Sequence, residues 1–204
     1  MKKISAEKYL LIAFCICLSC SPATEQSQST GEEITFKEYP SQNKIEVLID
    51  DKLFTAYRWP DSVYKPILYP IVSSGGSTLT RGYPLEPRGG ERNDHRHQVG
   101  NWLNYGNVNG YDFWGNGHAG EKSPNGGEIR HVSIEKLTPG AGEAFMVTTA
   151  SWVDPTGIEL LAEKTEFHFI ADGAVRIVDR IMTLTASGAQ TVNFNDTKEG
   201  MFGI

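Results

Sequence analysis

The chain has 204 residues, 39% of them hydrophobic and 22% charged, with a formal net charge of -6. This is enough for one domain with a sizeable core. The acidic balance, with no cluster of Lys or Arg beyond the first three residues, argues against a nucleic-acid partner held by phosphate contacts, so a small neutral ligand is expected instead.

The first residues, "MKKISAEKYLLIAFCICLSC", join a lysine-bearing start to a short apolar run that ends in small residues, the pattern of a targeting segment. The run from Tyr9 to Ser19 is too short to span a bilayer, which takes roughly 20 apolar residues. Residues 1–20 therefore read as a lipoprotein-type signal peptide with Cys20 as the lipidated residue, although Cys17 stands where leucine is usual. A plain secretory peptide is the alternative. The expected location is the cell envelope, with the protein anchored by lipid to the outer membrane on its periplasmic or surface face and touching the membrane through that anchor only. Cys15, Cys17 and Cys20 all fall inside this segment, so the mature domain is expected to have no thiol for a disulfide, a thiolate metal site or a nucleophile. Residues 21–33, "SPATEQSQSTGEE", lack large apolar side chains and read as a flexible tether.

Residues 34–204 read as the folded domain. "ITFKEY", "KIEVLI" and "LFTAYRW" alternate with period two, the last two joined by Asp50-Asp51-Lys52. After a long loop come "RHVSIEKL", "EAFMVTTASWV", "IELLAEKTEFHFI", "AVRIVDRIMTLTA" and "TVNFND", separated by the turn sequences "TPGAG", "DPTG", "ADG" and "SGAQ". No convincing helix and no internal repeat appears. The pattern predicts an all-β antiparallel sandwich.

The hairpin around Ala171-Asp172-Gly173 invites a register. A three-residue loop would set Phe169 against Val175, Phe167 against Ile177, Thr165 against Asp179 and Glu163 against Ile181, collecting the large apolar residues on one face. Glu163 and Asp179 would then be diagonal neighbours on that face, roughly 7–8 Å apart. His168, Arg176 and Arg180 would be on the solvated one.

The stretch "NDHRHQVGNWLNYGNVNGYDFW" lies in a Gly- and Asn-rich region, residues 73–127, that has neither helical nor strand periodicity. Long loops of this kind that carry aromatic rings are commonly functional. Rings beside amide and imidazole donors suit a sugar-like ligand, whose C–H faces stack while its hydroxyls pair. Trp102 and Asn109 are ligand-binding candidates on this ground. Trp114 is another, although for it and Phe113 closing the end of the sandwich is the favoured role. His95 and His97 form an H-x-H pair, which on a strand would project both imidazoles to one side. They could supply two metal ligands, with His118 or His131 as a third, but neither spacing is diagnostic. No metal site is assigned and no cofactor is indicated.

Taken together, "YKPILYPI", "DHRHQVGNW", "NVNGYDFW", "GGEIRH" and "DTKEGMFGI" resemble the PmoA-like family, labelled "methane oxygenase PmoA", from about Tyr64 to the last residue. Gln98 stands where that family usually has a histidine and Arg96 where it has a proline, while His95 and His97 match. The resemblance implies a C-terminally truncated member and carries a site role to His95 and His97, while the all-β pattern with a histidine-bearing loop is similar to a galactose-mutarotase-type supersandwich. Gln98, His131 and Lys198 are further ligand-binding candidates. Its label implies a metal-dependent oxygenase. The residues themselves point to an exported carbohydrate-directed enzyme of hydrolase, lyase or epimerase type, in which His95 or His97 is the acid and Glu163, Asp179 or Glu199 the base. A non-catalytic glycan-binding lipoprotein is the remaining reading. Convergence of both histidines and a carboxylate on one pocket separates the catalytic reading from the binding one.

Overall fold

The computed structural model describes residues 31–115 and 123–204. The proposed signal peptide, Cys20, most of the tether and His118 lie outside the described residues. Eleven strands are present among those described: β1 (Glu33–Tyr39), β2 (Lys44–Ile49), β3 (Lys52–Arg58), β4 (Ile67–Ile71), β5 (Trp102–Leu103), β6 (Glu128–Thr138), β7 (Gly140–Ala141), β8 (Glu143–Val153), β9 (Glu159–Asp172), β10 (Val175–Ala186) and β11 (Phe202–Gly203). One short 3-10 turn, Pro40–Gln42, is the only helical element among them. "TVNFND" forms no strand and contributes a single bridge, Val108 to Phe194.

Two antiparallel sheets carry the fold. One runs β4-β3-β2-β1-β7, the other β10-β9-β8-β6, and β5 pairs with β11 in a small third. The period-two alternation sets the layers, since it turns Ile45, Val47 and Ile49 of β2 inward and their neighbours outward. These meet Met146 of β8 and Phe167 and Phe169 of β9 in one cluster that includes Ile34 and Phe54. Two sheets packed face to face over a shared apolar layer make an all-β antiparallel sandwich. Burying each such side chain contributes roughly 1.5–3 kcal/mol, so this layer dominates stability.

The hairpin of β9 and β10 departs from the expected register. Val175 pairs with Asp172, which leaves a two-residue loop, Gly173-Ala174, and sets Phe169 against Val178, Phe167 against Arg180 and Glu163 against Leu184. Gly173 takes a positive φ of 55° at the first loop position, where a tight hairpin turn favours glycine. Glu163 faces inward, whereas Asp179 lies on the exposed outer face, so the two carboxylates do not share a face. The expectation failed because it placed Arg176 and Arg180 in solvent. Both turn inward and find carboxylates, Arg176 pairing with Glu32 at 2.6 Å and Arg180 with Glu163 at 3.2 Å. The apolar residues of the other face are left exposed, Val175 by 51%, Ile177 by 43% and Ile181 by 53%.

Two further apolar clusters anchor the long loop. Val108 and Phe113 pack on Trp152, Leu160 and Leu161 of the four-stranded sheet, and Val99 and Trp102 pack on Ile67, Tyr69 and Val63. The described part of the loop is therefore a cap anchored on the sandwich through Val99, Trp102, Val108 and Phe113.

Candidate functional site

His95, His97, Gln98, Asp112, Trp114, Thr197, Lys198 and Glu199 border one polar cavity of about 420 Å³ on this cap. Three separate segments build it. The first is the turn from Asp94 to Gln98, closed by the Gln98 N–H donating to the His95 carbonyl at 2.9 Å. It is not a strand. His95 has a left-handed φ of 48°, and this turn, rather than a pleat, brings the two imidazoles to a centroid separation of 5.7 Å. A non-glycine residue at such a φ needs support from its surroundings. Arg81 supplies some, donating to the carbonyls of His95 at 2.8 Å and Gln98 at 2.9 Å. Asp94 lies between Arg92 at 2.9 Å and the His95 Nδ1 at 3.0 Å, which orients that ring.

The second segment is Asp112 to Gly115. Asp112 Oδ1 accepts hydrogen bonds from the backbone N–H groups of Trp114 at 2.8 Å and Gly115 at 2.9 Å, a local turn that short aspartate side chains form readily. It aims the Trp114 ring between His97, 6.3 Å away by centroids, and the buried Trp102, 5.7 Å away. Trp102 is a support beneath the site and does not line the cavity.

The third segment, Thr197 to Glu199, arrives from far along the chain. Asn107 accepts at its Oδ1 from Asn195 Nδ2 at 3.0 Å, and Asn109 accepts from the Asn193 N–H at 2.7 Å while donating to the Thr191 carbonyl at 3.3 Å. Asn109 is thus a clamp that fixes the third segment and is not part of the cavity lining. Gly106 permits the close approach: a Cβ there would stand 2.9 Å from Thr197 Oγ1.

The electrostatics favour a neutral His97. Partial burial holds its imidazole below the ordinary histidine range, Lys65 and His95 push it the same way, and Asp112 and Glu199 oppose them. A neutral imidazole can accept a proton near pH 7. Glu199 is the more available carboxylate, because Asp112 is engaged in its turn whereas Glu199, among the described residues, has only the exposed Lys198, at 3.5 Å, as an ion-pair partner.

The other candidates lie elsewhere. Glu163 is 5% exposed and its oxygens accept from Trp152 Nε1 at 2.7 Å, Thr165 Oγ1 at 2.6 Å and Arg180 at 3.2 Å, an arrangement that ties the core together. Asp179 is on the outer sheet face. His131 bonds the Tyr57 hydroxyl at 3.1 Å and lies 4.0 Å from Trp59 by centroids with the rings tilted by 31°, and burial pushes it down to about 4. Among the described residues no group of three or more His, Cys, Asp or Glu is placed to hold a metal ion. A cavity of about 430 Å³ beside β10 and β4 is mainly apolar, and its cations, Arg176 and Arg180, are already paired with carboxylates.

Asp112, Thr197 and the buried Lys65 were not expected from the sequence. A lysine inside the apolar run "YKPILYPI" was a readable signal for Lys65. For Asp112 the signal was an aspartate ahead of two aromatic residues in a loop. Thr197 lies in the motif "DTKEGMFGI" beside Lys198 and Glu199, which was its readable signal.

Fold and cavity together define a β-sandwich protein with a histidine-bearing polar cleft on a loop cap. Residues 44–204 match the "Family of unknown function (DUF6807)", and the chain belongs to it. No curated protein and no solved structure matches. The family description assigns no activity, and the methane-oxygenase label suggested by the motifs finds no support in it.

Proposed function

We propose that the cleft binds a small hydroxylated ligand, most simply a sugar, and acts on it by histidine–carboxylate acid–base chemistry. The observation that carries this reading is the convergence of His95, His97, Asp112, Glu199 and the Trp114 ring on one polar cavity. Separated sites would have favoured a packing role. A ring for stacking, an amide at Gln98 and charged groups of both signs match what a polyhydroxylated molecule requires. The surroundings of His97 favour its neutral form, which is available to accept a proton, the reverse of the acid role expected from the sequence, with Glu199 as the partner group. Glu163 and Asp179 are withdrawn as candidate bases because neither reaches the cleft.

The protein is further proposed to be exported and anchored through lipid on Cys20. Among the described residues no helix is long and apolar enough to cross a membrane. Cys20→Ala should release the protein into the soluble export fraction, and unchanged membrane partitioning would sink the anchor. For the cleft, a panel of mono- and disaccharides screened by thermal shift, with and without chelator, should raise the unfolding midpoint of the wild type. Glu199→Gln should remove that rise. A rise that survives in Glu199→Gln, or that vanishes with chelator alone, would overturn the acid–base assignment.

A further inference from the structure

Lys65 lies between β3 and β4 and is 1% exposed. Its Nζ donates to the His97 carbonyl at 2.6 Å and stands 4.8 Å from the centre of the Trp102 ring. Among the described residues its hydrogen bond goes to a neutral carbonyl and not to a carboxylate. Withdrawing an ammonium from water without a directly bonded anion is costly, more so than one such hydrogen bond returns. A methionine would fill the same space without that cost, so packing alone does not account for a lysine here.

The turn it touches is the one that aims both imidazoles into the cleft. Arg81 holds the carbonyls of His95 and Gln98 from one side, and Lys65 holds that of His97, so two cations fix three carbonyls of a turn with left-handed backbone at His95. Arg81 does this from a partly exposed position, whereas Lys65 does it from the interior. The structure assigns Lys65 as a positioning residue of the cleft, one that fixes the His97 carbonyl and sets the charge environment in which the His97 imidazole works.

Two electrostatic consequences accompany this geometry. Burial pushes the Lys65 ammonium down to about 7, opposed by Asp112, so its charge changes in the neutral range. That charge is, after burial, the next influence holding His97 low, with His95 acting the same way and Asp112 and Glu199 opposing. Loss of the Lys65 proton should therefore let the proton affinity of His97 rise, and the influence is reciprocal. The assignment rests on the cleft reading only in that His97 is the group being tuned, and its test needs no ligand, so the two can fail separately.

The test is an NMR titration of the His97 imidazole in the folded protein. Lys65→Met should raise its midpoint by about half a pH unit or more, roughly threefold in proton affinity, and Lys65→Arg should return it toward the wild type. An unchanged midpoint in a natively folded Lys65→Met, or a Lys65→Arg that titrates like Lys65→Met, would overturn the assignment. Should Lys65→Met not fold, wild-type protein labelled at the lysine Cε carbons decides the matter. A Lys65 signal titrating well below the exposed lysines, with a matching inflection in the His97 resonances, supports the assignment. Titration alongside the exposed lysines, or no response at His97, overturns it.

Discussion

Glu163 and Glu199 are both carboxylates near a cation, yet their surroundings differ in kind. Glu163 is enclosed in the sandwich, where an indole, a hydroxyl and a guanidinium occupy its oxygens. Glu199 stands at the rim of a cavity shared with two imidazoles and, among the described residues, has only a loose ion pair with an exposed lysine. A buried polar group with its partners in place is part of the fold, and one that faces a cavity with capacity to spare is available to a ligand. The comparison predicts that disturbing the first group costs stability and disturbing the second costs function.

The largest effect is expected at the buried pair. Glu163→Ala leaves the Arg180 guanidinium without its carboxylate in the core, and chemical denaturation should show a loss of about 3–5 kcal/mol. Adding Arg180→Met should recover a good part of that loss, because the stranded charge goes with it. Additive losses in the double variant would mean that the two side chains are not coupled, and the contrast with Glu199 would weaken.

The two histidine environments offer a pH test of the same idea. In the unfolded chain an imidazole protonates near its ordinary 6.5, but in the fold His131 does so only at about 4, so on acidification the unfolded chain takes up its proton first. The His131 contribution to stability is therefore complete above about pH 6.5 and is lost as the pH descends toward 4, a loss on the order of 1–2 kcal/mol after allowing for solvent screening at a half-buried ring. His97, also held low, adds to the fall with the same sign. His131→Gln should flatten the profile. A profile as steep as that of the wild type would show that His131 is not the group responsible.

These contrasts also show what the sequence could and could not reveal. The strands were legible because alternation and turn residues are local, and β2, β3, β8 and β9 appear where the pattern placed them. The cleft was half legible, since His95, His97, Gln98 and Trp114 share one unusual loop. Register was not legible, because the face of β10 that turns inward carries Arg176 and Arg180, and an arginine can be buried only when a distant carboxylate awaits it. Here Glu32 and Glu163 do, and no local pattern announces either pairing. The cleft's third wall was legible in part: Lys198 and Glu199 were named from the motif "DTKEGMFGI", but the asparagine clamps at positions 107 and 109 that bring this segment and Thr197 to the cleft follow no local pattern.

Those clamps set a smaller prediction. Asn107→Ala removes the hydrogen bond to Asn195 and should cost about 0.5–1.5 kcal/mol, while loosening the segment that bears Glu199. Amide exchange across residues 193–199 should quicken, and unchanged exchange there would deny the clamp its role. Smallest of all is Asp179→Ala, on the exposed outer face, which should move stability by no more than about 0.5 kcal/mol and leave ligand response untouched.

The most direct measurement is the unfolding midpoint of His97→Ala, taken with and without the saccharides that stabilise the wild type. A partly exposed imidazole contributes modestly to stability, so the unliganded midpoint should stay close to that of the wild type, and the rise with saccharide should vanish. A variant that fails to fold, one that keeps the full rise, or a wild type that responds to no saccharide in the panel would contradict the assignment of this cleft as the working site.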